Sequence, residues 1–199
     1  MYIQITEKCN MSCPHCCYSC TEKGKDMPLA IFRKALEYED EVIAIGGGEP
    51  TLHPNFLTIL IEAIAHVEYI WLATNGSTKH IDLLYKLAMK NVISVALSLD
   101  CFHDQIDYKI EQQWRKAAKI KGNHGIEIRC VEESVSKQGR AIENNLYTSE
   151  ECVCPEITVK PNGNIYQCGC DDSPKIGDVF DGFSPIDNCY DCYKNIELP

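Results

Sequence analysis

The stretch Val42-Ile-Ala-Ile-Gly-Gly-Gly-Glu-Pro50 decides how the chain is read. Val42 to Ile45 make a short apolar strand, and a glycine run closed by proline stops it abruptly. Residues 55–66 follow with Leu57, Leu60, Ile61 and Ile64 at helical spacing. Upstream, residues 2–6 (YIQIT) alternate like a strand, and Pro28 opens a helical pattern through Ile31, Phe32, Ala35 and Leu36. Proline costs least in that first turn, where its missing N–H would have no partner anyway. The alternation goes on, with strands predicted at 69–73, 92–99 and 126–131 and helices at 81–89 and about 105–120. Strands that alternate with helices across short connections are the mark of parallel βαβ units. Apolar runs of this kind predict strands buried on both faces. Periodicity alone leaves an open sheet and a barrel as alternatives.

The regularity stops near Ser134, and residues 136–151 are polar without a clear period. Beyond them a strand is predicted at 157–160, then a Pro161-Asn-Gly-Asn164 turn and a second strand through Ile165 and Tyr166. Cysteines flank this hairpin on both sides, the arrangement of a hairpin whose ends hold a metal or cluster.

The composition, 45% hydrophobic and 24% charged over 199 residues, is that of a globular chain with one good core. A net charge of −10 disfavours a large nucleic-acid footprint, which needs clustered Lys and Arg. The local exception, Trp114 with Arg115, Lys116, Lys119 and Lys121, reads first as a solvated helix face. No run of about 18 apolar residues is present, so no membrane span is expected. The N-terminus MYIQITEKCN reads as a strand rather than a secretory leader, which predicts a cytoplasmic protein. In a reducing compartment, thirteen cysteines point to metal binding or catalysis rather than to disulfides.

The tightest group is Cys9-Asn-Met-Ser-Cys13-Pro-His-Cys16, directly after the first strand. Three thiolates in so short a loop repel one another unless a metal or cluster takes the charge. Zinc is the alternative reading, with Cys17 or Cys20 recruited to complete four ligands. This spacing in this place resembles the radical S-adenosylmethionine (AdoMet) superfamily. The resemblance implies that Cys9, Cys13 and Cys16 hold a [4Fe-4S] cluster whose open iron chelates AdoMet, with His15 near the adenine. Gly46-Gly47-Gly48-Glu49-Pro50 resembles the family's GGEP motif, which implies that Gly47, Gly48 and Glu49 bind the methionyl amine. Thr74-Asn75-Gly76 is similar to the family's turn after strand three, and as a sequence signal it is almost equally a plain turn. Ser98 and Asp100 share one strand face and match positions near the methionyl group and ribose. Arg129 would pair with the AdoMet carboxylate, or with an acid of the protein itself.

The resemblance covers roughly residues 1–133 and implies a partial (β/α) barrel of five to six parallel strands, a radical AdoMet core at 1–148. A usual sixth strand is not evident, so either closure is incomplete or the C-terminal segment takes its place. Residues 149–199, with Cys152, Cys154, Cys168, Cys170, Cys189 and Cys192, look like a short SPASM/twitch extension. That likeness implies a second, auxiliary iron–sulfur cluster on Cys154, Cys168, Cys189 and Cys192, with Cys152 and Cys170 as alternates and structural zinc as the competing occupant. Cys101 and Cys130 read as small buried hydrophobes.

The implied function is reductive cleavage of AdoMet to a 5′-deoxyadenosyl radical that abstracts hydrogen from a peptide or small metabolite. A reductant such as flavodoxin or ferredoxin is implied as a partner. Two other classes compete: a radical AdoMet enzyme acting on nucleosides or nucleic acid, and a non-catalytic iron–sulfur or zinc protein serving electron transfer.

Overall fold

The computed structural model describes residues 1–39, 41–120, 125–131, 135–148, 156–170 and 173–186. Five parallel strands lead: β1 (Tyr2–Thr6), β2 (Val42–Gly47), β3 (Tyr69–Thr74), β4 (Ser94–Ser98) and β5 (Ile126–Arg129). Between them run helices α1 (Leu29–Leu36), α2 (Phe56–His66), α3 (Ile81–Met89) and α4 (Tyr108–Ala118). After β5 come a one-turn helix α5 (Arg140–Glu143) and four short strands, β6 (Thr158–Val159), β7 (Asn164–Tyr166), β8 (Lys175–Asp178) and β9 (Gly182–Phe183). All nine strands form one sheet in the order β5-β4-β3-β2-β1-β6-β7-β8-β9.

The place of the expected sixth strand is taken by the C-terminal segment. β6 lies parallel to β1, with Tyr2 opposite Thr158 and Ile3 opposite Val159, and the Tyr2 N–H donates to Ile157 O at 2.9 Å. From β6 onward the pairing turns antiparallel, as tight hairpins require. The parallel set is therefore six strands long, and the sheet runs across the boundary expected near residue 148.

Strand alternation sends one set of side chains to the helices and the other to the concave side. Ile3, Ile5, Ile43, Ile45, Leu72 and Leu97 are buried in the layer shared with Phe32, Ile59, Leu84 and Trp114. Each such side chain contributes about 1.5–3 kcal/mol by leaving water. The opposite face of the same strands carries Tyr2 and Trp71 with the small groups Ala44, Gly46, Ala73 and Ser98, and these line a cavity inside the curve of the sheet.

Three elements differ from the sequence reading. α2 turns Phe56, Ile59, Leu60 and Ala63 inward, while Leu57, Ile61 and Ile64 face solvent. The helix is apolar almost all round, so its spacing fits two faces equally and only packing chooses between them. β5 is an edge strand with one buried residue, Ile126, instead of a strand covered on both faces. α4 begins at Tyr108 because the Asp107 carboxylate caps it, accepting from Lys109 N at 2.7 Å.

Trp114 is 1% exposed and meets the Tyr85 ring edge-on at 5.7 Å, and Arg115 pairs with Glu111. The indole beside the basic cluster is thus core, not a platform for stacking bases. Trp114→Ala is expected to lower the unfolding free energy by about 3–5 kcal/mol, read from urea denaturation. A loss below 1 kcal/mol would contradict this packing.

Candidate functional site

The loop after β1 is held at its base like a small ladder. Glu7 N donates to Lys25 O, Cys9 N to Thr21 O and Met27 N to Ile5 O, at 2.8, 3.0 and 2.8 Å. Inside that frame the chain turns at Cys13 and Cys16, and Cys9, Cys13 and Cys16 all line the cavity on the concave side of the sheet. Burial and the neighbouring Cys9 and Cys16 thiols push Cys13 up to about 11. Burial also raises Cys9. The Cys20 thiol donates to Cys16 and holds it well below the ordinary thiol range. Three half-buried or buried sulfurs, two of which resist ionising, suit a cluster that takes their charge, which is what a thiolate-ligated iron–sulfur group does.

Glycines bring the end of β2 against this loop. A Cβ on Gly47, whose φ is +133°, would meet Thr6 O at 2.1 Å, and one on Gly48 would meet Lys8 O at 2.1 Å. The closeness is used: Gly48 N donates to Thr6 O and Glu49 N to Lys8 O, at 2.9 and 2.8 Å. The Glu49 carboxylate is fully buried beneath the cavity. It accepts from Thr51 N and Oγ1, from Thr74 Oγ1 at 2.9 Å and from Asn75 N at 2.7 Å. Burial pushes its pKa up, and these hydrogen bonds offset only part of that. Asn75 carries the network onward, donating from Nδ2 to Asn10 Oδ1 at 3.0 Å, beside Cys9 Sγ at 3.9 Å. His53 closes the same motif, with Nε2 against Met27 O at 2.9 Å and Nδ1 accepting from Asn55 N.

His15, Gly47, Gly48, Asn75, Ser98 and Arg129 line the cavity with the three cysteines. Its volume is about 750 Å³, the size of a cofactor and substrate together. Glu49 and Asp100 lie behind its wall. The Asp100 side chain is wholly buried, and Oδ1 accepts from Phe102 N at 3.0 Å and from His103 Nδ1 at 2.7 Å. Its Oδ2 and the nearby His15 Nδ1 are buried with no partner among the described residues. Burial holds His15 down to about 4, so the ring is neutral at pH 7. It lies against Phe102, with ring centroids 4.6 Å apart. The neutral His15 ring on the cavity wall suits the face of a purine, and Asp100 stands one layer behind it. Arg129 makes no ion pair among the described residues, which leaves a cation facing the cavity.

The sequence reading missed Arg140. Its Nε donates to Cys13 O at 2.9 Å, its Nη1 to Cys20 O at 2.8 Å, and its backbone N–H to Cys16 O at 3.0 Å. Gly139, at φ +49°, lets the chain pass so near that a Cβ would stand 2.6 Å from Cys16 O. The only available signal was Gly139-Arg140 within a polar stretch of no clear period. Cys168 is buried and away from this cavity, with its N–H donating to Ser173 Oγ, and Cys170 Sγ accepts from Gln138 Nε2 at 2.8 Å. Cys152, Cys154, Cys189 and Cys192 lie outside the described residues. Cys101 and Cys130 are exposed rather than buried.

Arg140→Met removes two charge-assisted bonds to the loop and is expected to cost about 1.5–3 kcal/mol. Iron retained after anaerobic gel filtration should fall with it, and Arg140→Lys should recover part of the iron. Unchanged iron in Arg140→Met would show that the loop holds itself.

The family model of the radical SAM superfamily matches residues 3–132. The mycofactocin maturase MftC of Mycolicibacterium smegmatis is 28% identical over 138 residues, 65% of this chain and 32% of that protein. YydG of Bacillus subtilis, provisionally named a peptide biosynthesis protein, is 32% identical over 119 residues, 51% of this chain and 35% of that protein. The chain thus spans about a third of the length of these relatives. Among solved structures, BtrN in complex with AdoMet and 2-DOIA superposes with a TM-score of 0.63 at 18% identity, covering 92% of this chain and 78% of that one. That likeness bears on the fold, a sheet of parallel strands curved as a partial barrel. With the match covering well over half of its residues, the chain belongs to the radical SAM superfamily.

Proposed function

We propose that this chain cleaves AdoMet reductively and directs the resulting radical at a peptide. The observation that carries the reading is the meeting of Cys9, Cys13 and Cys16 with Gly47, Gly48, Asn75, Ser98 and Arg129 on one cavity. When bound, a [4Fe-4S] cluster held by Cys9, Cys13 and Cys16 would, together with AdoMet, supply a 5′-deoxyadenosyl radical able to take hydrogen from an unactivated carbon.

The protein's own residues bind and orient. The backbone at Gly47 and Gly48 lies open to the methionyl ammonium, and the Glu49 carboxylate just beneath adds negative charge. Arg129 pairs with the methionyl carboxylate. Ser98 would receive the ribose side with Asp100 set behind it, and the neutral His15 ring would pack against the adenine. The small side chains on the concave face, Ala44, Gly46 and Ala73, leave room for the substrate.

A peptide substrate is favoured by the name of the relative YydG. Residues 1–148 form the AdoMet-cleaving core in this reading, and 149–199 an auxiliary region. There Cys154, Cys168, Cys189 and Cys192 hold a second cluster, with Cys152 and Cys170 as alternates. The reductant is a flavodoxin or ferredoxin, and the compartment is the cytoplasm. No helix among the described residues is long and apolar enough to cross a membrane.

Anaerobic reconstitution tests the reading. About four iron and four sulfide per primary site are expected, with 5′-deoxyadenosine released on reduction in the presence of AdoMet. Replacing Cys9, Cys13 and Cys16 together by alanine should abolish release and leave part of the iron on the auxiliary site. Complete loss of iron would count against the second cluster, and a colourless zinc protein would overturn the whole. Arg129→Leu should weaken AdoMet binding about tenfold to a hundredfold, measured by equilibrium dialysis.

A further inference from the structure

A second cavity, of about 520 Å³, opens where β6 parts from β1. β6 pairs only with Tyr2 and Ile3, and the next outward contact of β1 is Met27 N to Ile5 O, so Gln4 stands at a gap in the edge. Gln4 is 2% exposed, yet its amide makes no hydrogen bond among the described residues, and Oε1 is wholly cut off from solvent. Buried amides are nearly always paired, so a bare one on a cavity wall calls for a partner.

The rest of the wall has a definite electrostatic character. Pro28 and Ile31 bring the N-terminal end of α1 to the cavity, and that helix has neither a side-chain cap nor an acid in its first turn. The Ile31 N–H is taken by Pro28 O, and it is the helix dipole at this end that favours an anion. Lys25 and Lys160 also line it, and neither has an ion-pair partner among the described residues. Two acids are present as well. Asp26 is committed to Lys8 and Thr6 Oγ1, and Glu7 Oε2 accepts from Lys25 N at 3.3 Å. With Asp26 neutralised by Lys8, the cavity keeps a positive excess at the helix end.

The two cavities share Tyr18. Its ring lies 5.9 Å from Tyr2 on one side, and Lys160 Nζ sits 4.6 Å from its centroid on the other. The two cavities thus lie on either side of one side chain.

We propose that the Gln4–Lys160 cavity, which shares Tyr18 with the first, binds a carboxylate-bearing stretch of the substrate peptide. Gln4 Nε2 donates to a peptide carbonyl, and the carboxylate rests against Lys160, Lys25 and the end of α1. This rests on the peptide reading above and specifies what that peptide carries.

Saturation-transfer NMR on the reconstituted, AdoMet-loaded protein tests it with three probes. These are acetyl-Gly-Glu-Gly-amide, acetyl-Gly-Gln-Gly-amide and acetyl-Gly-Gly-Gly with a free C-terminus. Transfer to the Glu probe assigns the site to an acidic side chain, and transfer to the free-ended probe assigns it to a C-terminus. Lys160→Met and Lys25→Met should each weaken the bound probe about threefold to fivefold. Gln4→Leu should weaken it too while leaving stability equal or higher, because a bare buried amide is replaced by an apolar group. Equal transfer to the Gln probe, no transfer to any carboxylate, or displacement by inorganic phosphate at matching concentration would overturn the assignment. So would a marked loss of stability in Gln4→Leu, which would make the amide structural. The measurement needs no turnover, so absent 5′-deoxyadenosine with intact probe binding would fail the radical reading and leave the carboxylate site itself in place.

Discussion

A single buried carboxylate holds the mouth of this sheet together. Glu49 lies beneath the cavity floor, and a charge there costs several kcal/mol unless it is well paired. It is met by donors from its own turn and from the end of β3, and through Asn75 and Asn10 the network reaches the cysteine loop. Three loops that follow three different strands thus share one set of hydrogen bonds. Displacing any of them would leave an acceptor or a donor stranded where water cannot reach. Gly47 and Gly48 follow from the same demand, since the β2 turn can approach the loop backbone only where no Cβ intervenes.

The cysteine loop is held from both sides. Its base is fixed by backbone bonds to residues 21–27, and its far side by the guanidinium of Arg140, which reaches the carbonyls of Cys13 and Cys20. A cation in that place also favours negative sulfur, since it sits near all three cysteines. The chain that carries Arg140 leads on toward β6, which covers the open edge of β1. Residues remote in sequence therefore complete both the sheet and the support of the loop.

The helical and strand segments were readable because their local signals agree. Pro28 opens α1, the glycine run ends β2, and apolar runs mark each parallel strand. The reading failed where local signals were silent or double. α2 is apolar on two faces, so its inward set was settled by contact with β3 and α1. β6 has two residues, and its identity as a sixth parallel strand comes from its partner. Arg140 had no period around it, and its role depends on carbonyls more than a hundred residues earlier.

The sequence by itself determined the chemistry available. Cys9, Cys13 and Cys16 after the first strand, the glycine–glutamate turn after the second and the polar end of the fourth are all local patterns. Their meaning survives without coordinates because each is set by spacing within a few residues. The tertiary structure decided which of these groups face the cavity and which stand behind it. Glu49 and Asp100 are set back, one as the tie between loops and the other with an oxygen still bare. Burial and hydrogen-bond partners are properties of the packed chain, and spacing along the sequence does not contain them.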